Sequence, residues 1–425
     1  MTLSESPRAR YRNLGHEPAL DGLRGVAVLT VILWHYPTEI LGHSLQWLQS
    51  GHLGVDLFFV LSGFLITALM LNEHNHTGSI SFLGFYRRRA FRLLPALVVF
   101  LSVHFVWALL TDIPSGPWSP GTELRNEIAS VLSALFFSLN LLPFFGDYTA
   151  TLGLGHLWSL AVEEQFYFSW PLITVALLSR ATVLYLYLTG ATSLLVAVTG
   201  HLLVWDELGG IARWGASFAA GFSVFILLLA VRRLSWDVRA LAVLSVLTLF
   251  VLMFRAGVYD GSVMSIFAIY GSLPGRADSL IFGAGLAYLW VSGRIPRRCH
   301  SFVSLTAWIF FGWFVTDFTL TGPFFVQGGW TLVALCGALI VWGSLGSEGT
   351  IYGRVLTMSW LRSIGKVAYG LYLWHILVFA AVKHWFGDES VLLKTVLALG
   401  ITAAVTMASW FWVERPALAY KRARN

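Results

Sequence analysis

The stretch that decides the fold is ALDGLRGVAVLTVILWHY, residues 19–36, an apolar run close to the length that crosses a bilayer. It carries two ionisable side chains that are costly to place in lipid, those of Arg24 and His35. Eleven helical steps of about 100° bring His35 to within about 20° of Arg24 on one helix face, about 16 Å further along. Ionisable side chains within a membrane span usually face a protein interior or a water-filled cavity and mark a functional pathway. Two plainer interpretations stay open, because Arg24 can anchor the cytoplasmic end of the helix and His35 can hydrogen-bond to a neighbouring helix.

The composition of the whole chain extends this membrane interpretation. Of its 425 residues, 57% are hydrophobic and only 12% are charged, far from the values of soluble domains. The net charge of +6 lies in short clusters between apolar runs, where it sets topology rather than binding nucleic acid. The two cysteines, Cys299 and Cys336, fit neither a disulfide framework nor the spacing of metal ligands. We therefore predict a multi-pass membrane protein with no metal and no nucleic-acid partner.

Apolar runs of spanning length recur along the chain and predict an all-α, polytopic helical bundle of about 10–12 transmembrane helices. The runs cover residues 19–37, 53–71, 94–111, 157–179, 182–205, 213–232, 238–256, 277–293, 302–320, 327–345, 366–385 and 392–413. One membrane domain, residues 19–414, thus fills most of the chain.

Residues 126–144 decide the predicted topology. This run is less apolar than the others, because it contains several serines, Asn140 and a terminal Pro143. If it does not cross the membrane, the arginine clusters between the spans all fall on one side, which the positive-inside rule makes the cytoplasm. We therefore predict that this run is re-entrant or interfacial. The N-terminal segment 1–18 and the tail 415–425 are then both cytoplasmic, in a protein of the plasma membrane.

Two carboxylates are predicted at the depth of His35. Asp56 lies near the start of the second span, and Glu163 lies on one stripe of the fourth span with Ser159 and Tyr167. Both spans run inward, so both carboxylates fall in the outer half of the bilayer. A carboxylate next to an imidazole can fix its tautomer and raise its basicity, as a general base requires. Asp56 can instead cap the start of its helix.

The loop after the second span carries four arginines close to the cytoplasmic surface, which are Arg87, Arg88, Arg89 and Arg92. Guanidinium groups bind phosphates through paired hydrogen bonds, so the cluster can hold the phosphates of a nucleotide-bearing cofactor. The same cluster can be a topology signal in contact with anionic lipid. The charge pattern favours neither interpretation over the other.

Further polar residues lie within apolar runs. Arg276 and Asp278 open an inward-running span at the outer level, where a salt bridge between helices is the commoner explanation. His375 lies at mid-membrane depth with Tyr372 one turn before it. That position favours a structural hydrogen bond over catalysis for His375.

Taken together, these motifs resemble the membrane acyltransferase-3 family, the bacterial integral-membrane O-acyltransferases of glycans, glycolipids and macrolides. They follow the family order along almost the whole chain. The motifs are LDGLRG at 20–25 with His35, GVDLFFVLSGF at 54–64, YRRRAFRLLP at 86–95, HLWSL at 156–160 with EEQFY at 163–167, RAD at 276–278, YGLYLWH at 369–375 and ERP at 414–416. An additional apolar pair within 182–232 departs from the pattern of many relatives.

The resemblance implies an enzyme and assigns roles to its residues. It makes Arg24 and His35 essential and places the four clustered arginines on the acyl-donor side. The implied donor is an acyl-coenzyme A, with acetyl-CoA as the simplest case. The implied acceptor is a cell-surface polysaccharide, a glycolipid or a macrolide. Substrate-binding or structural roles fall to Trp158, Glu164, Tyr167, Arg276, Asp278, Tyr372 and His375.

These inferences combine into one mechanistic hypothesis. Coenzyme A phosphates bind at Arg24 and the arginine cluster, while His35 acts as general base on the acceptor hydroxyl, oriented by Asp56 or Glu163. A covalent acyl-histidine intermediate is also compatible with these residues. The competing class is a membrane transporter or flippase, which also places charges within the membrane and a basic mouth inside. The lack of clear repeat halves weighs against that class.

Overall fold

The long apolar stretches of the sequence form helices. The computed structural model describes residues 12–36, 40, 50–111, 123–141, 153–178, 236–299, 301–320 and 322–423. Within these residues every regular element is a helix, which confirms the predicted all-α class. The predicted spans at 182–205 and 213–232 lie outside the described residues.

The described residues form fifteen α-helices. In chain order, the α-helices are α1 (Pro18–Tyr36), α2 (Gly54–Thr77), α3 (Phe82–Thr111), α4 (Glu123–Leu135), α5 (Trp158–Leu178), α6 (Trp236–Val258), α7 (Val263–Tyr270), α8 (Leu273–Val291), α9 (Ser301–Asp317), α10 (Trp330–Ser344), α11 (Ile351–Leu356), α12 (Ser359–Lys366), α13 (Ala368–Phe386), α14 (Val391–Ser409) and α15 (Arg415–Ala423). A π-helical turn precedes α10 at Phe325–Gly329 and another precedes α15 at Trp410–Glu414.

Several of these helices can cross a membrane, so the chain is a multi-pass membrane protein. Five described stretches are long and apolar enough, and there are six if the bent pair of α12 and α13 is one span. The five are Gly51–Thr77, Phe82–Leu110, Ala240–Val258, Phe325–Ser344 and Val391–Tyr420. By contrast, α4 has 13 residues, fewer than the roughly 20 that span the hydrocarbon core. Its length supports the re-entrant or interfacial interpretation of 126–144.

Two glycines bring α2 and α8 into backbone contact. A Cβ atom at Gly63 would lie 2.1 Å from the carbonyl oxygen of Leu280, and one at Gly283 would lie 2.1 Å from that of Val60. Small residues at such crossings allow membrane helices to approach closely. This tight crossing holds the two helices that carry Asp56 and the Arg276 motif.

Glycine contacts also hold α1 against the short helix α12. A Cβ atom at Gly365 would lie 1.8 Å from the carbonyl oxygen of Asp21. Gly365 precedes Lys366 and Asp21 lies one turn before Arg24, and both cations line the same cavity. The chain then bends by 72° between α12 and α13, and α13 packs beside α1.

The arginine cluster lies on a helix rather than in the predicted loop. α3 begins at Phe82, well before the predicted span at 94–111, and carries the cluster in its first part. Arginine is a good helix former, and the first proline of α3 is Pro95, so nothing ends the helix between the cluster and the membrane. Helical spacing therefore brings Arg88 and Arg92, four residues apart, onto one face.

Candidate active site

A cavity of about 760 Å³ runs between α1, α2, α3, α5, α12, α13 and the segment from Trp410 to Leu418. Its volume lies within the range of ordinary ligand pockets. Its walls combine apolar side chains with an unusual number of polar ones. The polar lining residues are Asp21, Arg24, Ser62, Glu73, Arg88, Arg89, Arg92, Ser159, Glu163, Lys366, Tyr369, Tyr372 and Glu414.

One part of the cavity is strongly basic. Arg24 comes from α1, three arginines of the predicted cluster come from α3, and Lys366 comes from the bend between α12 and α13. The lining thus holds five cations against four carboxylates. Arg87 belongs to the same turn of α3 but is not a lining residue. The structure therefore joins Arg24 to most of the cluster, as the sequence predicted, and adds Lys366.

Carboxylates and an aromatic ring hold these arginines in place. Arg24 Nη1 lies 3.2 Å from Asp21 Oδ1, and Arg88 Nη2 lies 3.2 Å from Glu73 Oε2. The Arg89 guanidinium lies 3.9 Å from the centre of the Tyr167 ring, within the range of a cation–π contact. These contacts keep the guanidinium groups at the wall of the cavity.

Glu163 faces this cavity, as its helical stripe indicated. Its Oε1 atom accepts hydrogen bonds from the Ser62 hydroxyl at 2.5 Å and from the Tyr167 hydroxyl. Glu164 points elsewhere, and its Oε1 atom is buried without a hydrogen-bond partner among the described residues. Trp158 lies against the Tyr270 ring at 4.3 Å between centroids, outside the cavity lining.

Ser159 and Tyr372 line the part of the cavity next to His156 and His375. The Tyr372 hydroxyl donates to the backbone carbonyl of His156 at 2.5 Å. Because that hydroxyl has one proton, the Ser159 hydroxyl, also 2.5 Å away, donates to the Tyr372 oxygen. The Tyr372 ring lies 5.8 Å from the His375 ring, which connects the cavity to the histidine pair.

His35 lies beside a second histidine rather than a carboxylate. Its Nδ1 atom is 3.3 Å from Nε2 of His375 and 3.0 Å from the carbonyl oxygen of Val31. His35 is partly exposed and does not line the cavity, whereas His375 is fully buried. A third ring, that of His156, lies 5.4 Å from the His375 ring. The structure therefore brings together three imidazoles from α1, α13 and the turn before α5.

Asp56 is bonded to Arg276 instead of His35. The Arg276 Nη2 atom donates to Asp56 Oδ1, which also accepts from the Ser279 hydroxyl at 2.8 Å. Both members of the ion pair are completely buried between α2 and α8. The carboxylate that the sequence placed at the depth of His35 thus has a different partner on a neighbouring helix.

Asp278 belongs to a second buried ion pair. Its Oδ2 atom lies 2.7 Å from Arg255 Nη2 of α6 and 2.7 Å from the hydroxyl of Thr331 in α10. Arg276 and Asp278 are two positions apart, about 200° around the helix, so they face different neighbours. The predicted interhelical salt bridge is therefore present twice, and each bridge uses a partner outside the motif.

Several lining residues have little signal in the sequence. Lys366 stands at the break before α13, where no periodic pattern marks it. Tyr369 lies within the predicted YGLYLWH motif, and Glu414 lies in the ERP motif, but neither had an assigned role. Ser62 was visible as a polar position within an apolar span. Among the described residues, no group of three histidine, cysteine, aspartate or glutamate side chains is placed to hold a metal ion.

The acyltransferase domain of the acyltransferase-3 type matches residues 17–415, nearly the whole chain. The chain belongs to this family.

The chain is similar in sequence to proteins that are named O-acetyltransferases. The chain is 27% identical over 421 residues to YrhL of Bacillus subtilis, provisionally named a peptidoglycan O-acetyltransferase, covering 94% of this chain and 54% of that protein. It is 25% identical over 413 residues to the O-acetyltransferase OatA of Staphylococcus aureus, covering 94% and 57%. The chain thus spans a little over half the length of these relatives. No solved structure matches it significantly.

Proposed function

We propose that this chain transfers an acyl group, with acetyl as the simplest case, from acyl-coenzyme A to a hydroxyl of a sugar-containing acceptor. One observation carries the proposal. A single cavity joins the basic cluster of Arg24, Arg89 and Arg92 to the polar pair of Ser159 and Tyr372 beside the histidines.

The basic part of the cavity suits the donor. Coenzyme A carries several phosphate groups, and arginine side chains bind phosphate oxygens through paired hydrogen bonds. Asp21 and Glu73 hold Arg24 and Arg88 before the donor arrives, so the guanidinium groups are already positioned at the wall. Binding then exchanges carboxylate contacts for phosphate contacts. The pantetheine arm would extend along the apolar walls towards Ser159.

The reaction needs one base and returns its proton. The acceptor oxygen attacks the thioester carbonyl carbon while the His35 imidazole takes the hydroxyl proton. The carbon–sulfur bond breaks, and the departing thiolate of coenzyme A receives that proton from His35. The products are an O-acyl ester and free coenzyme A. Glu163 would orient polar groups on the cavity side, where its carboxylate already accepts hydrogen bonds from Ser62 and Tyr167.

A glycan of the cell surface is the acceptor that we propose. The printed names of relatives specify O-acetyltransferases, and one names peptidoglycan. The partial exposure of His35, at the opposite end of α1 from Arg24, supports entry of the acceptor from the outer side. We further propose that the complete bundle has about 10–12 spans in the plasma membrane, with both termini in the cytoplasm.

The test uses full-length protein in lipid nanodiscs with acetyl-labelled coenzyme A and an N-acetylglucosamine oligomer as the probe acceptor. We expect labelled ester and free coenzyme A to form in equal amounts. His35→Ala should lower transfer by about 100-fold or more, the usual contribution of a positioned base. The control is His384→Ala, an exposed histidine of α13, which should behave like the unchanged protein. In sealed vesicles that contain the protein, movement of the acceptor across the membrane without ester formation would instead indicate the transporter class.

A further inference from the structure

We infer that His375 is the positioning residue that orients His35 for proton transfer, in the place where the sequence suggested a carboxylate. This inference rests on the proposed function. Its starting point is the 3.3 Å contact between His375 Nε2 and His35 Nδ1, formed by residues 340 positions apart.

The hydrogen bond to Val31 determines which nitrogen of His35 carries the proton. Its Nδ1 atom lies 3.0 Å from the carbonyl oxygen of Val31, and a carbonyl can only accept. In the neutral imidazole the proton therefore sits on Nδ1, and the lone pair is left on Nε2. Nε2 is thus the atom that can receive a proton from an acceptor hydroxyl.

Backbone carbonyls likewise determine which nitrogen of His375 carries the proton. Its Nδ1 atom lies 2.8 Å from the carbonyl oxygen of Tyr372 and 3.1 Å from that of Leu371. By the same reasoning Nδ1 carries the proton, so Nε2 of His375 has a lone pair. That lone pair faces the N–H of His35. The single Nδ1–H of His35 is thus shared between the Val31 carbonyl oxygen and His375 as a three-centre hydrogen bond. The carbonyl sets the tautomer, and His375 is the acceptor on the neighbouring helix that holds the orientation of the ring.

The packing around His375 leaves its side chain little freedom to move. The side chain is completely buried, and the rings of His156, Tyr372 and Phe379 surround it at 5.4, 5.8 and 5.9 Å. Two backbone carbonyls of its own helix fix its remaining nitrogen. An orienting group must have few alternative positions, and this packing leaves His375 few.

A neutral orienting group suits this location. In catalytic triads a carboxylate accepts from the N–H of the base and stabilises the cation that forms there. A carboxylate at this depth would itself be costly unless it were paired, and Asp56 is already paired with Arg276. An imidazole offers an acceptor lone pair without adding a second charge beside His35.

The test separates orientation from structure. His375→Leu removes the acceptor, whereas His375→Gln can place its amide oxygen where Nε2 lies. We expect His375→Leu to lower kcat by about 100-fold, with the KM for acetyl-CoA within about twofold of the unchanged protein. His375→Gln should restore at least about tenfold of that loss, since it retains an acceptor. His384→Leu, on the same helix, is the control.

Each outcome has a defined meaning. If His375→Leu keeps kcat while His35→Ala abolishes transfer, the inference fails and the proposed function stands. If His375→Leu raises the KM for acetyl-CoA and leaves kcat intact, His375 shapes the cavity and does not orient the base. If His375→Gln is as inactive as His375→Leu, and both bind acetyl-CoA normally, the acceptor role is wrong. If His35→Ala itself retains transfer, His35 is not the base and the inference fails with it. If the unchanged protein forms no ester, the proposed function fails.

Discussion

Asp21 and Arg24 form an ion pair on the first helix, 3.2 Å apart, at the wall of the cavity that the other arginines share. The pair keeps a guanidinium group at the wall of this cavity. Its geometry also depends on α12, because the Asp21 backbone lies against Gly365. The position of the Arg24 charge therefore depends on contacts from another part of the chain.

The cavity arginines should control donor affinity. Arg89→Gln and Arg92→Gln each remove a charged hydrogen-bond donor, worth about 1.5–3 kcal/mol, so the KM for acetyl-CoA should rise about 10- to 100-fold. The maximal rate should change less, because these residues lie away from His35. Steady-state kinetics of the purified protein measures both. Arg354→Gln, on the exposed surface of α11, is the matched control, and equal effects in all three variants would contradict this assignment.

The two kinds of ion pair should differ in stability. Arg276→Met leaves the Asp56 carboxylate buried without its partner, which should cost about 3–5 kcal/mol and lower the midpoint of thermal unfolding. Arg88→Met breaks a partly exposed pair with Glu73 and should cost no more than about 1 kcal/mol. Replacing both Asp56 and Arg276 by apolar residues should recover much of the loss. Similar midpoints for the first two variants would show that the buried pair is not held as described.

The contact between α2 and α8 should not accept a methyl group. Gly63→Ala places a Cβ 2.1 Å from the Leu280 carbonyl oxygen, so the helices must separate, at a cost of about 1–3 kcal/mol or more. Gly312→Ala, on α9, is the control, because no heavy atom lies within 4 Å of its added Cβ. Thermal unfolding in detergent compares the two. A stable Gly63→Ala variant would contradict the close crossing.

The hydrogen bonds of Tyr372 should couple it to Ser159. Tyr372→Phe and Ser159→Ala each remove part of the same hydrogen-bonded pair, with an expected loss of about 0.5–1.5 kcal/mol for each. The double variant should lose less than the sum, because the second change removes an interaction already broken. A double-mutant cycle of unfolding midpoints and of acyl transfer measures this coupling. Additive losses would mean that the two hydroxyl groups act independently.

The helices themselves were largely predictable from the sequence. α2, α8 and α13 lie within a few residues of the predicted runs, because an apolar run of spanning length leaves the backbone no alternative to internal hydrogen bonding. The arginine cluster was less well placed. The sequence predicts a loop there, because the apolar pattern begins only after Arg92, whereas in the structure the polar residues continue the helix without a break.

Partners of the buried charges were less predictable. Asp56 lies in the first turn of α2, but position along a helix does not specify which neighbour lies opposite. Arg255 and Thr331 complete the Asp278 pair from helices that the motif does not include. The sequence favours a structural hydrogen bond for His375, because Tyr372 lies one turn before it and nothing local indicates His35.

The sequence by itself determined an all-helical membrane protein of the acyltransferase-3 family, a face shared by Arg24 and His35, and a basic cluster that follows the second span. These features are local, since they depend on apolar run length, on helical spacing and on motifs in order. Only the tertiary structure decided that Asp56 binds Arg276, that Lys366 joins the arginines and that His375 contacts His35. Those pairings depend on which helices cross, and the crossings are set by glycine contacts and by the bend before α13 between residues far apart in the chain.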